Sequence, residues 1–130
     1  MIRCKIVTPF GKYKEMDTSI LNVRNSIGEM GILPNRMPIV TMLEISKMST
    51  IENGQKEEYA IGGGLLYFKE NEAMILVDSI ENKNDIEKDR ALAAKSRAED
   101  YLNKKDESID AKRAELALKR AMNRLKVIGE

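Results

Sequence analysis

Arginines dominate the residues able to do chemistry in this chain. Arg90 and Arg97 lie seven apart. In a helix that spacing puts both on one face. Arg113, Arg120 and Arg124 share a face of a second helical stretch, spread over roughly 40° at 100° per residue. If the two stretches fold antiparallel, the faces meet. Converging guanidinium groups repel unless an anion sits between them, and their forked donors suit phosphate oxygens. One reading is therefore a phosphate-bearing ligand or an acidic partner. The other is a solvated face laced with ion pairs one turn apart.

Other chemistries are excluded early. The 130 residues contain no His and a single Cys, Cys4. No disulfide within the chain, zinc cluster or nucleophile–base pair can be built from them, so no catalytic site and no metal site is expected. Cys4 alternates with Ile2 and Ile6, as a buried and inert thiol would. Gly62-Gly63-Gly64 lacks the Lys-Ser/Thr of a phosphate loop and leads into a strand pattern. It reads as a turn or as close packing of backbones between strands. Net charge is +1, and Trp is absent. Lys112, Arg113, Lys119, Arg120, Arg124 and Lys126 crowd the last helical stretch against one acid, Glu115. That patch is too small and too poor in aromatics for a nucleic-acid surface. No apolar run approaches the ~20 residues of a membrane span, and Met1–Lys5 lacks a signal-peptide core. The expectation is a cytosolic protein without direct membrane insertion.

The elements that position these residues follow from a break in composition near residue 84. Residues 1–84 hold seven of the eight Gly, all three Pro and two Ala, whereas 85–130 hold eight Ala and one Gly. Gly and Pro punctuate strands, and Ala favours helices. The expected class is α+β by segregation: a β-sandwich over 1–84, then an antiparallel two-helix hairpin over 85–130. Asn53-Gly54 suits a tight hairpin turn, and Glu70-Asn71-Glu72 separates two further strand patterns. Asn84 with Glu87 forms a capping box for the first helix, which runs to about Leu102. Ser108 or Asp110 caps the second, which ends near Ile128 before Gly129. Its stripe of Ala114, Ala117, Leu118, Ala121, Leu125 and Ile128 is apolar but small. Little area is buried by such a seam, so the hairpin is expected to dock weakly. Ile32, Leu33 and Met37 either fold back on the core or form a recognition loop rimmed by Glu29 and Arg36.

Taken together, these motifs resemble the epsilon subunit of bacterial F-type ATP synthases along essentially the whole chain. Gly28-Glu29-Met30-Gly31-Ile32-Leu33-Pro34, closing at Pro38, resembles that family's G-E-x-G-I-x-P-x-x-x-P loop. Ile61-Gly62-Gly63-Gly64 resembles its Gly-Gly strand entry. Ala91–Ala98 and Arg113–Leu125 resemble its two helices. The resemblance implies a sandwich of about ten short strands and a non-catalytic role in the central stalk, coupling rotation between the gamma subunit and the membrane rotor ring of c subunits. It places the complex at the cytoplasmic face of the cell membrane. It implies ring contact by Glu29, Ile32, Leu33 and Arg36, the last standing where many members carry His. It also implies a mobile hairpin that inhibits ATP hydrolysis when extended. Lys112, Arg113, Lys119, Arg120, Arg124 and Lys126 then meet acidic loops of the beta subunits, beside alpha. Several members bind ATP on the folded hairpin through I/L-D-x-x-R-A. Here Ile86-Glu87-Lys88-Asp89-Arg90-Ala91 matches, with Glu87 for Asp. The other positions fall on Glu81, Arg97, Arg120 and Arg124. ATP is thus implied as a regulatory ligand, with no cofactor required. The alternative function is a free nucleotide sensor that switches conformation on binding ATP.

Overall fold

A computed structural model describes residues 1–104 and 111–129. Ser108 and Asp110, the expected caps of the second helix, lie outside the described residues. Eight strands come first: β1 (Ile2–Thr8), β2 (Gly11–Thr18), β3 (Leu21–Asn25), β4 (Gly28–Ile32), β5 (Ile39–Glu52), β6 (Gln55–Lys69), β7 (Glu72–Val77) and β8 (Ile80–Asn82). Two helices follow, α1 (Lys88–Asn103) and α2 (Ala111–Val127).

The β half is one sheet ordered β2-β1-β7-β6-β5-β3-β4, with β8 paired to β6. Eight strands replace the ten short ones expected, because β5 and β6 run unbroken for 14 and 15 residues. Asn53 and Gly54 join them, both with positive φ (53° and 78°). Only a two-residue turn of the I′ kind needs that pair of conformations, and Asn-Gly supplies it at least cost. β6 changes partner along its length. Tyr59–Ile61 pairs with β8 and Gly64–Lys69 with β7. The three glycines sit at this changeover. A Cβ on Gly64 would overlap the Leu76 carbonyl oxygen, and one on Gly62 the Ser79 hydroxyl. Close backbone packing, not a phosphate loop, explains them.

The sheet closes on itself as a sandwich around one core. Ile2, Cys4 and Ile6 of β1, Leu21 of β3, Leu66 and Phe68 of β6 and Ile75 of β7 are fully buried there. Burial pushes the Cys4 thiol up to about 12, so it stays protonated and unreactive. β2 and β5 are not sheet neighbours, yet they meet across the closure. The Ile51 amide donates to the Thr18 hydroxyl (2.9 Å). The Lys14 ammonium lies 2.6 Å from the Glu52 carboxylate and donates to the Tyr59 hydroxyl (3.0 Å). Tyr59 and Thr50 donate in turn to Glu52 (2.7 and 2.5 Å). Burial disfavours the Glu52 charge, but its bonds from Lys14, Thr50 and Tyr59 outweigh that and hold it below the ordinary glutamate value. Burial likewise opposes the charge on Lys14, and bonds to Glu52 and Tyr59 outweigh it and raise Lys14.

The hairpin begins later than the capping box predicted. Residues 83–85 form a short 3-10 turn whose own cap is Asn82, accepting from the Asn84 amide (2.9 Å). Asn84 is therefore inside a turn and cannot cap a helix. Glu87 is the N-cap of α1 and makes no side-chain cap bond, which leaves its carboxylate for other work. Between the helices, Ala91 and Ala98 of α1 and Ala114 and Ala121 of α2 are buried. The seam is these two seven-spaced pairs. Ala117, expected in it, is exposed, because at 100° per residue it lies about 60° round the helix from Ala114. Leu125 and Val127 are buried nearer the sheet end of α2.

Glu52→Gln tests the closure. Its folded value is depressed, so Glu52 stabilises above its unfolded value of about 4.3, and that contribution fades as pH falls through the lower folded value. At pH 7 the variant should be less stable by about 1–3 kcal/mol. The gap in thermal midpoints between variant and parent should shrink as the solution is acidified.

Candidate functional site

Of the two helices, α2 packs on β5 and β6, and α1 packs on α2. Two polar side chains of α2 take part in the docking. The Asn123 amide donates to the carbonyls of Ser46 (2.9 Å) and Ile61 (3.4 Å). These two residues are cross-strand partners in the β5–β6 ladder, so the amide sits over that ladder. One residue on, Arg124 pairs with Glu81 of β8 through its Nε. Asn123 and Arg124 are thus a polar latch between α2 and the sheet.

Beside the latch is a cleft of about 450 Å³. It is lined by Glu81, by Asp85, Ile86 and Glu87 ahead of α1, by Arg90, Ala91, Ala93, Ala94 and Arg97 on α1, and by Arg124. Six of the seven residues expected at an ATP site line it together. Among the described residues, neither Arg90 nor Arg97 has an ion-pair partner. The seventh, Arg120, is half-buried one turn before Arg124 and does not line the cleft. Its Nε is buried with no hydrogen-bond partner among the described residues. Three guanidinium groups, three carboxylates and an alanine wall face one volume, within the usual range for small ligands. Asp85, Ala93 and Ala94 were not anticipated. The signal for Ala94 is its place between Arg90 and Arg97 on the same helix face.

The remaining expected contacts separate. On α2, Lys112, Arg113, Lys119 and Lys126 are exposed, whereas Arg120 and Arg124 are half-buried in the hairpin. Gly28–Ile32 is a strand and not a loop. Ile32 is fully buried opposite Leu21 and cannot touch a partner, a correction to its expected ring contact. Leu33 and Met37 are 57% and 80% exposed. Glu29 points from β4 towards Arg24 at 3.8 Å, and Arg36 donates to the carbonyl of Met37 (3.1 Å).

A second surface escaped the sequence. Register aligns Val7, Leu76, Leu65 and Met42 in one row across β1, β7, β6 and β5, and Lys5, Met74, Tyr67 and Val40 in the next. Met42, Val40, Tyr67 and Leu76 are exposed. The run from Ile39 to Ile45 reads as a longer, more buried strand, and that reading hides the exposed apolar side chains of its outer face.

The family comparison fits both halves. The β-sandwich domain of the ATP synthase delta/epsilon chain matches residues 1–83, and the long α-helix domain of that chain matches 84–129. The chain is 44% identical over 128 residues to the ATP synthase epsilon chain of Bacillus velezensis, covering 98% of this chain and 97% of that one. It is 43% identical over 126 residues to that of Bacillus licheniformis, covering 97% and 96%. The chain belongs to the ATP synthase epsilon family. It is accordingly a non-catalytic stalk subunit of an ATP synthase. The fold is shared with a chain in the cryo-EM structure of Euglena gracilis mitochondrial ATP synthase in rotational state 1. That pair has a TM-score of 0.81 at 20% identity, covering 96% of this chain and 79% of that one. Among the described residues, no helix is long and apolar enough to cross a membrane.

Asn123→Ala removes the amide over Ser46 and Ile61 and should weaken α2 docking by about 1 kcal/mol. Hydrogen exchange should quicken across residues 111–127 while β1, β6 and β7 keep the parent's rates. Uniform quickening would place Asn123 in global stability and not in docking.

Proposed function

We propose that this epsilon-family subunit couples the rotor ring to the gamma subunit and restrains ATP hydrolysis through its helical hairpin, with ATP in the hairpin cleft holding the helices folded. The observation that carries this reading is the cleft itself. Arg90 and Arg97 come from α1 and Arg124 from α2, so a polyanion placed there bonds both helices at once, while Glu81 of β8 offers an acceptor to a donor group on the same ligand. Such a ligand binds the folded hairpin and not the open one, and mass action then favours folding. Glu87 reaches the same cleft in place of the family's Asp, with one more methylene. Ile86, Ala91, Ala93 and Ala94 supply an apolar wall for a base.

When ATP leaves, α2 swings away from the sheet. Its exposed Lys112, Arg113, Lys119 and Lys126, joined by the released Arg120 and Arg124, then meet acidic loops of the catalytic beta subunits, with alpha adjacent, and block hydrolysis. Gamma covers the outer apolar rows of β5, β6 and β7. Burying Val40, Met42, Tyr67 and Leu76 there removes from water the largest exposed apolar side chains of that face. Glu29, Leu33 and Arg36 face the ring. The complex works at the cytoplasmic side of the cell membrane, with the subunit peripheral to it, and moves ions as it makes ATP.

Calorimetric titration with ATP should show one site on the isolated chain, and Arg90→Ala should weaken it about tenfold or more, since a charge-assisted bond contributes about 1.5–3 kcal/mol. Unchanged affinity in that variant would move the site elsewhere. Met42→Asp should abolish co-purification with gamma and leave the circular dichroism of the chain unaltered; retained binding would assign gamma to a different face.

A further inference from the structure

The loop after β4 and the turn between β6 and β7 are 36 residues apart in sequence, yet a pair of asparagines joins them. The backbone N–H of Asn35 donates to Asn71 Oδ1 (2.6 Å), and Asn71 Nδ2 donates to Asn35 Oδ1 (3.1 Å). Both residues have positive φ, 68° and 62°. That conformation strains most side chains, and asparagine tolerates it. Asparagine also offers a donor and an acceptor on one planar group, so it serves the backbone geometry and the reciprocal pair together. Asn71 is fixed in turn, because its carbonyl accepts from the Arg3 amide (2.8 Å) at the start of β1. The pair is exposed, and no core packing requires it.

We propose that Asn71 is a positioning residue for the ring-facing loop and that the β6–β7 turn belongs to the same docking platform. This rests on the reading that Leu33 and Arg36 face the ring. Held by Asn71, residues 33–37 present Leu33, Arg36 and Met37 together on a rigid rim, with Glu70 and Glu72 beside them on the turn. Such a rim fits ring loops that offer apolar side chains to Leu33 and Met37 and oxygen acceptors to Arg36. A rigid rim also loses less conformational entropy on docking than a free loop does.

Asn71→Gly isolates the side chain, because Gly is favoured at the second position of a two-residue I′ turn. In the full chain it should speed hydrogen exchange of the Asn35 amide about fivefold, the effect of one ordinary hydrogen bond. β5 and β6 should keep their rates. Catalytic head and stalk assembled with the variant should bind isolated rotor rings about fivefold more weakly. Asn71→Asp keeps the acceptor for the Asn35 amide and should recover part of both losses. Asn35→Gly keeps the backbone donor, so combined with Asn71→Gly it should be no worse than Asn71→Gly alone. Parent-like exchange at Asn35 would overturn the pair, and faster exchange with unchanged ring affinity would overturn its role in docking. Leu33→Ala and Arg36→Ala serve as the control: if they too leave ring affinity unchanged, the ring-facing reading itself is what fails.

Discussion

Among the described residues, α2 is the helix that packs on β5 and β6, and the hairpin depends on what holds it there. Asn123 reaches two carbonyls of the β5–β6 ladder, and Arg124 reaches Glu81. The seam between the helices is made of alanines. Each buried methyl contributes about 0.8 kcal/mol, so four give about 3 kcal/mol. A ligand at a hundredfold its dissociation constant adds about 2.7 kcal/mol to whatever state it binds. The two are of one size, so a ligand that binds only the paired helices would add about as much as the alanine seam does.

Latch and cleft share residues. Arg124 and Glu81 clamp α2 to β8 and at the same time form one wall of the cleft. Arg124 is the residue that α2 supplies to the cleft. Arg90 and Arg97 converge on it with no carboxylate partner among the described residues, and Arg120 carries a buried Nε without an acceptor. Only the Arg120 atom is a cost of burial, since Arg90 and Arg97 are exposed to solvent. The β half, by contrast, is closed by the Lys14–Glu52–Tyr59 cluster and a continuous core that its own strands supply.

Much of this was legible in residue types. The shift from Gly and Pro to Ala marked β before α, and Asn53-Gly54 marked a hairpin that the φ angles bear out. Seven-residue spacing put Arg90 and Arg97 on one face, and they line one cleft. What was illegible depends on contacts distant in sequence. Asn84 looked like a cap until Asn82 used it in a 3-10 turn. Ile32 looked like part of a recognition loop until pairing with Leu21 drew it into the core. The outer apolar rows were hidden because alternation fails where both faces of a strand are apolar. Asn123 shows only as a polar residue in an amphipathic helix, and nothing local says that two carbonyls await it.

The most direct measurement is the distance between the sheet and α2 as ATP is varied. Lys56 and Glu115 are both exposed. Replacing each with cysteine gives two labelling sites, and buried Cys4, its thiol pushed up to about 12, stays unlabelled. With the doubly labelled chain assembled into the complex, a single short distance should appear at saturating ATP, and a longer or broader one when ATP is removed. An identical distance under both conditions would contradict a ligand-held latch.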